Sequence, residues 1–185
     1  VDDDARLAER CLAGDPQAWS SFVHRFEGAV FGICLRMLQH RQDAEDVAQE
    51  TLVRAVKHLR RWDAARRLAP WVMSIAVNRC RTRLSQRRSV THLGEVDQVQ
   101  EETPRASHSG LAEELELAIA ALREDYRASF ILFYQQELGV EEVAEVMGCP
   151  TGTIKTWLYR ARKEIARKLV DRGVVSEAGD ELYGI

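Results

Sequence analysis

The stretch VEEVAEVMGCPTGTIKTWLYRAR, Val140 to Arg162, decides the fold. Its first part is a short amphipathic segment with Val143, Ala144 and Met147 on one side, ending at Gly148, a residue that takes the positive φ of a helix stop without strain. Three residues later a second helix is predicted to open at Thr151, whose hydroxyl is placed to cap its free amides. From there the apolar residues Ile154, Leu158, Ala161, Ile165 and Leu169 mark one buried helical face. The opposite face carries Lys155, Arg160, Arg162, Lys163, Arg167 and Lys168. The small Ala144 lets the two helices approach closely. This is the grammar of a helix-turn-helix, whose second helix presents its N-terminal residues to base edges in the major groove. Here those residues are Thr151, Thr153, Lys155 and Thr156, with Tyr159 and Arg160 one turn on. A helical hairpin with an incidentally cationic surface is the competing reading of this stretch alone.

Working outward, the chain reads as helical nearly throughout. Asp15-Pro16 is a cap followed by proline at the first helical position, and it opens a helix towards Leu38. After the polar break QHRQ a second helix is predicted from about Asp43 to Leu59, burying Ala48, Leu52, Ala55, Val56 and Leu59. The basic loop RRWDAARRLAP precedes a third, from about Trp71 to Gln86, packing Val72, Ile75 and Ala76. Periodicity is then lost over SVTHLGEVDQVQEETPRASHSG, which reads as a flexible linker because a structureless loop of that length is unusual inside one compact domain. Four more helices follow, ending near Val170. The expected architecture is all-α: two small helical domains, residues 1–88 and 111–170, joined by a flexible acidic linker, 89–110, with a frayed tail, 171–185. The helix-turn-helix lies in the second domain.

A net charge of −3 conceals strong segregation. Arg54 to Arg88 holds eleven Lys or Arg against one acid, Asp63. Ser89 to Glu116 holds seven acids against Arg105, and Pro150 to Arg172 seven bases against two acids. Two cationic zones flanking an acidic spacer matter more for polyanion binding than the sum does. Cys11, Cys34, Cys80 and Cys149 are widely spaced, without a CxxC pair or a Cys/His cluster, so free thiols are expected and no metal site. The acidic N-terminus is unlike a secretory signal, and no run of about 18 uncharged apolar residues exists, so no membrane insertion and a cytoplasmic location are expected. No P-loop, nucleophile elbow, HExxH or dinucleotide glycine pattern occurs, and the five histidines are scattered. No enzyme and no cofactor is expected.

Two further stretches carry chemistry. In QDAEDVAQETLVRAVKHLRR, Asp43, Glu45, Asp46 and Glu50 crowd the start of a helix and Arg54, Lys57, Arg60 and Arg61 its end. Macrodipole matching alone accounts for that order. Yet Asp46, Gln49, Glu50 and Val53 share the face opposite the buried stripe, an acidic patch with an apolar centre suited to a basic partner. In RRLAPWVMSIAVNRCRTRLSQRR, seven arginines could line a nucleic-acid backbone, Trp71 could stack on an unpaired base and Asn78 could hydrogen-bond one. Trp71 also lies one turn before Ile75, as a core residue would.

Together DAEDVAQETLVRA, PWVMSIAVNRCRTRL and GVEEVAEVMGCPTGTIKTWLYRARKEI, in this order and spacing, resemble the extracytoplasmic-function sigma factors of bacterial RNA polymerase. The resemblance spans roughly Leu7 to Leu169. It implies that Asp43, Glu45, Asp46, Gln49 and Glu50 dock on the β′ clamp helices of core RNA polymerase. It implies that Arg66, Arg67, Trp71, Asn78, Arg79 and Arg81 open and read the minus-ten promoter element as a single strand. It assigns the minus-thirty-five duplex to Thr151, Thr153, Lys155, Thr156 and Arg160, with Arg127 matching a family arginine that contacts phosphate. Capturing a flipped base costs a few kcal/mol of unstacking, whereas upstream reading needs only an intact major groove. The acidic linker would thread a cationic polymerase channel.

The resemblance thus implies an alternative sigma factor directing promoter-specific initiation and held inactive by a separate anti-sigma factor. A stand-alone helix-turn-helix regulator is the alternative, though it leaves the cationic N-terminal domain without a purpose. The chain departs from the family pattern at Trp157 (arginine in many members), Arg123 (proline), Val140 (Ser or Thr cap) and Thr82 (aspartate).

Overall fold

The computed structural model describes residues 2–92 and 110–175. Among them are eight α-helices and no strand: α1 (Asp2–Leu12), α2 (Pro16–Leu38), α3 (Arg41–His58), α4 (Leu68–His92), α5 (Leu111–Ala120), α6 (Glu124–Phe130), α7 (Val140–Met147) and α8 (Thr151–Asp171). A 3-10 turn, Leu59–Arg61, extends α3, and a π turn, Ile131–Gln135, extends α6. None of the described helices is long and apolar enough to cross a membrane.

Local chemistry sets most of the boundaries. Asp15 caps α2, its carboxylate accepting the N–H groups of Gln17 and Ala18 at 2.9 and 3.4 Å. The helix ends where Gln39 turns left-handed, with φ of 53°. His40 Nδ1 then accepts the Asp43 N–H at 3.2 Å, so α3 begins at Arg41 and not at the expected Asp43. The buried face of α3 is Ala44, Val47, Ala48, Thr51 and Ala55, while Leu52 and Val56 are only half-buried. The true stripe is therefore rotated towards the helix start relative to the expected one.

α4 is longer than predicted at both ends. Its last residues, Ser89 to His92, fall inside the expected linker 89–110; linker residues 93–109 and tail residues 176–185 lie outside the described residues. Gly148 ends α7 with φ of 68°, as expected. Thr151 corrects its reading: it makes no capping hydrogen bond, and the first turn of α8 is closed by the Pro150 carbonyl, which accepts the N–H groups of Thr153 and Ile154 at 2.9 and 3.3 Å. Val140 is the first residue of α7 and Gly139 its cap, which has no side chain to offer; Glu142 Oε2 instead accepts the Gly139 N–H at 2.9 Å.

The two helical halves meet face to face. Phe22, Ile33 and Met37 of α2, Leu59, and Leu68 and Met73 of α4 form one core with Ile131, Leu132, Val143 and Ile154. A second cluster, Ala118, Ile119, Leu122, Tyr126, Ala161 and Ile165, closes α5 and α6 onto α8. Trp157 packs against both clusters, which accounts for an apolar residue at that position.

Candidate nucleic-acid interface

At the start of α8 the side chains of Thr151, Lys155, Thr156, Tyr159 and Arg160 are exposed and Thr153 is half-buried, so the helix-turn-helix presents the expected residues on one surface. Their freedom differs. Thr156 Oγ1 donates to the Gly152 carbonyl at 2.9 Å and Arg160 donates to the Tyr126 hydroxyl at 3.0 Å. Behind them Arg162 donates to Tyr134 at 3.0 Å.

Arg127 is placed differently from the expectation. Only 9% exposed, it donates to the carbonyls of Ala120, Leu122 and Met37 at 2.7, 3.5 and 2.9 Å. Met37 belongs to α2, so this arginine staples the two halves together. In this arrangement it has no surface to offer a phosphate. Burial pulls its pKa down, opposed by the charge of Glu124, yet a guanidinium stays protonated in proteins.

The basic loop between α3 and α4 is a built structure. Asp63 Oδ1 accepts the Ala65 N–H at 3.0 Å, the Asp63 carbonyl accepts the Arg66 N–H at 3.0 Å, and the Trp62 indole N–H reaches the Arg67 carbonyl at 3.4 Å. Beyond it, half-buried Trp71 and exposed Asn78 line a cleft that Glu145 to Gly148 of the second half close from the other side. Arg66 and Arg67 border the neighbouring cleft. The loop and the first three turns of α4 thus bring together Arg66, Arg67, Trp71 and Asn78. Arg79 turns away, donating to Glu50 of α3 at 2.8 Å.

The cations of this face are paired with acids of the C-terminal half. Arg66 pairs with Glu145, Arg67 with Glu142 at 3.0 Å, Arg81 with Asp125 at 3.5 Å and Arg88 with Glu124 at 2.5 Å. Arg81 also reaches Met147 Sδ at 3.7 Å. Each of these four cations therefore faces a carboxylate of α6 or α7. Sequence reasoning missed this, although the acids of α6 and α7 lie as densely spaced as the bases they meet.

On α3, Glu45, Asp46, Gln49 and Val53 are exposed, and Glu50 is half-buried. Glu50 accepts from Arg54 at 2.9 Å as well as from Arg79. Burial works to raise its carboxyl, but these hydrogen bonds and charges outweigh it and hold the pKa below the ordinary value. Asp43 departs from this surface. It is buried under α4, bonded to Arg83 at 2.5 Å and paired with Arg87. Burial again works upward, and the Arg83 hydrogen bond with the charges of Arg87, Arg83 and His40 pulls the carboxyl lower overall. The signal was readable: Asp43 lies four and eight residues before Val47 and Thr51, on the buried face.

Among the described residues no cluster of His, Cys, Asp or Glu could hold a metal ion. The family models "Sigma-70 region 2" and "Sigma-70, region 4" match residues 22–90 and 112–165. The extracytoplasmic-function (ECF) RNA polymerase sigma-E factor of Haemophilus influenzae is 30% identical over 187 residues, covering 90% of this chain and 95% of that protein. The chain belongs to the ECF sigma factors.

Other relatives of this sigma factor are SigW of Bacillus subtilis, 29% identical over 85% of this chain and 92% of its own, and RNA polymerase sigma-H factor of Pseudomonas aeruginosa, 29% identical over 91% and 94%. Its fold is that of the sigma factor RpoE crystallised with the anti-sigma factor NepR from Bartonella quintana, with a TM-score of 0.70, 24% identity and coverage of 81% of this chain and 95% of that one. CnrH, in complex with the cytosolic domain of CnrY, matches with a TM-score of 0.68 at 21% identity over 91% and 97%. Region 2 coincides with most of α2 through α4 and region 4 with α5 through α8. The α3 face and the basic loop therefore fall in one region and the helix-turn-helix in the other.

Proposed function

We propose that this sigma factor binds core RNA polymerase in the cytoplasm and directs initiation at a set of promoters, under the control of a separate anti-sigma factor. The half up to the end of α4 binds the polymerase and opens the minus-ten element, the part of the expected linker 89–110 that follows α4 acts as the tether, and residues 111–170 read the minus-thirty-five duplex. The observation that carries this reading is the presence of three different surfaces on one chain. The acidic α3 face around Asp46, Gln49 and Val53 suits a basic protein partner. The loop and α4 combine arginines with an aromatic ring and an amide, the kit for an unpaired base. The start of α8 suits a major groove. A stand-alone regulator needs only the third.

The upstream reader is Thr151, Thr153, Lys155 and Thr156, with Arg160 at its edge. The minus-ten reader is Arg66, Arg67, Trp71, Asn78 and, once Asp125 is released, Arg81. Core docking falls to Glu45, Asp46, Gln49 and Glu50, while Asp43 and Arg79 fasten α3 to α4. Because the minus-ten cations are paired with α6 and α7, promoter reading requires the two halves to part. An anti-sigma factor can act by holding them together.

The test is transcription with purified components. The chain is mixed with core polymerase and a randomised promoter library, and the transcripts are sequenced. Starts downstream of one shared pair of elements support the reading. Duplex binding without polymerase, and no specific starts with it, replaces the reading with the stand-alone regulator.

A further inference from the structure

The carboxylate of Asp4 stands far in sequence from every surface described above, yet it reaches the start of α4, directly after the basic loop. Asp4 lies on α1 and is 5% exposed. One of its oxygens, Oδ2, accepts the backbone N–H of Leu68 at 2.8 Å, and the other, Oδ1, pairs with Arg25 of α2 at 2.6 Å. Leu68 is the first residue of α4. Its amide is one of the donors that a helix leaves unsatisfied at its start, and here it is buried with the fully buried Leu68 side chain. A capping side chain normally comes from the residue just before the helix. In this chain it comes from a different helix, oriented by an arginine on a third.

We infer that Asp4 is a positioning residue for minus-ten recognition: a remote cap that fixes where α4 begins and hence where Arg66, Arg67 and Trp71 stand. Arg66 and Arg67 are the two residues before the capped amide, and Trp71 follows it by one turn. The loop's other ties, the Asp63 turn and the bond from Trp62 to the Arg67 carbonyl, hold its interior. Asp4 anchors its exit to the α1–α2 body. Without that anchor the first turn of α4 has an orphaned buried N–H and frays, and the reading side chains lose their common reference. A negative charge near the helix start also suits the helix dipole.

This inference rests on the proposed function, and the experiment separates the two. On a promoter recovered from the library, permanganate reactivity of unpaired minus-ten thymines is measured for wild type, Asp4→Ala and Asp4→Asn, each with core polymerase. Core binding and binding to upstream duplex are measured in parallel. Failure of the wild type to open any promoter defeats the functional reading itself. With wild type active, Asp4→Ala is expected to lower thymine reactivity at least about tenfold, the order of effect of orphaning a buried donor. Core affinity and upstream binding should stay unchanged. Asp4→Asn keeps an acceptor for the Leu68 N–H while losing the charge, and should recover most of the opening. Unchanged opening in Asp4→Ala overturns the inference, as does an equal fall in all three activities, which would mark Asp4 as a packing residue only. Should Asp4→Ala not fold, amide exchange in the wild type decides: the Leu68 N–H must be strongly protected, and rapid exchange there refutes the cap.

Discussion

Neutralising Glu142 and Glu145 together should loosen the closed arrangement without unfolding either half. Glu142 meets Arg67 through both carboxylate oxygens at 3.0 Å, with side chains 25% and 52% exposed. Glu145 meets Arg66 with both side chains more than half exposed. Pairs this exposed contribute about 0.2–1 kcal/mol each after solvent screening and the entropy of holding two long side chains. Losing both therefore costs closure at most about 2 kcal/mol, a shift of up to roughly thirty-fold in the closed-to-open ratio. The double variant Glu142→Gln/Glu145→Gln suits the purpose because glutamine still accepts the Gly139 N–H that starts α7. Buried Val143, Val146 and Met147 of α7 and the Arg127 staple remain in place. Single-molecule energy transfer between dyes at positions 57 and 163, in a Cys149→Ser background, reports the separation of α3 from α8. The variant should show a larger low-transfer population than wild type at low salt. Raising salt to 0.5 M should open the wild type and shrink the difference, because exposed pairs are screened. An identical distribution at low salt, with the urea midpoint unchanged, would refute the argument that these carboxylates hold the halves together.

Three other outcomes follow from the same contacts. Asp46→Lys should abolish core polymerase binding in a pull-down while shifting thermal stability by less than about 0.5 kcal/mol, since Asp46 is exposed. Arg127→Ala takes the guanidinium away from the Leu122 and Met37 carbonyls, while the Ala120 carbonyl keeps the Gln39 amide, and should lower stability by roughly 2–3 kcal/mol in urea titration, the scale of a buried charge-assisted bond. Asp43 gives a pH signature. Its folded pKa lies below the ordinary 3.8, so its contribution is present above that value and is lost as pH falls through the folded pKa. Asp43→Asn should flatten the acid limb of the stability–pH curve and lower stability at neutral pH.

The fold was legible wherever a local rule decided it. Asp15-Pro16 capped α2, Gly148 ended α7, and the spacing from Ile154 to Leu169 turned the right face of α8 inward. Errors arose where a partner distant in sequence decided. Asp43 counted as an exposed acid until Arg83 and Arg87 supplied a buried pairing. Arg127 counted as a phosphate contact until the Met37 carbonyl, ninety residues earlier, took its donor. No periodicity links Asp4 to Leu68, and the remote cap could not be read from either segment. Ser89, Thr91 and His92 are polar and Val90 is the one apolar residue among them, so their composition reads as linker although the helix continues through them.

Charge was legible in amount and misread in meaning. The acids from Glu113 to Glu116 were counted with the acidic spacer between the two cationic zones, but they lie on α5, where Glu114 pairs with Arg172 at 2.5 Å and Glu116 with Arg36 at 3.0 Å. The cationic zone from Arg54 to Arg88 is neutralised in large part by α3, α6 and α7. A net charge of −3 is thus what remains after internal pairing, and it says little about affinity for DNA. On the proposed reading, the arginines that would hold promoter phosphates are already paired with carboxylates of α6 and α7, which DNA would have to displace. Exposed pairs are weak enough for a polyanion to replace and numerous enough to disfavour stray contacts. On the proposed reading, such a chain should bind little nucleic acid when alone, and polymerase docking on the α3 face would need only to favour separation of the halves to uncover the reader.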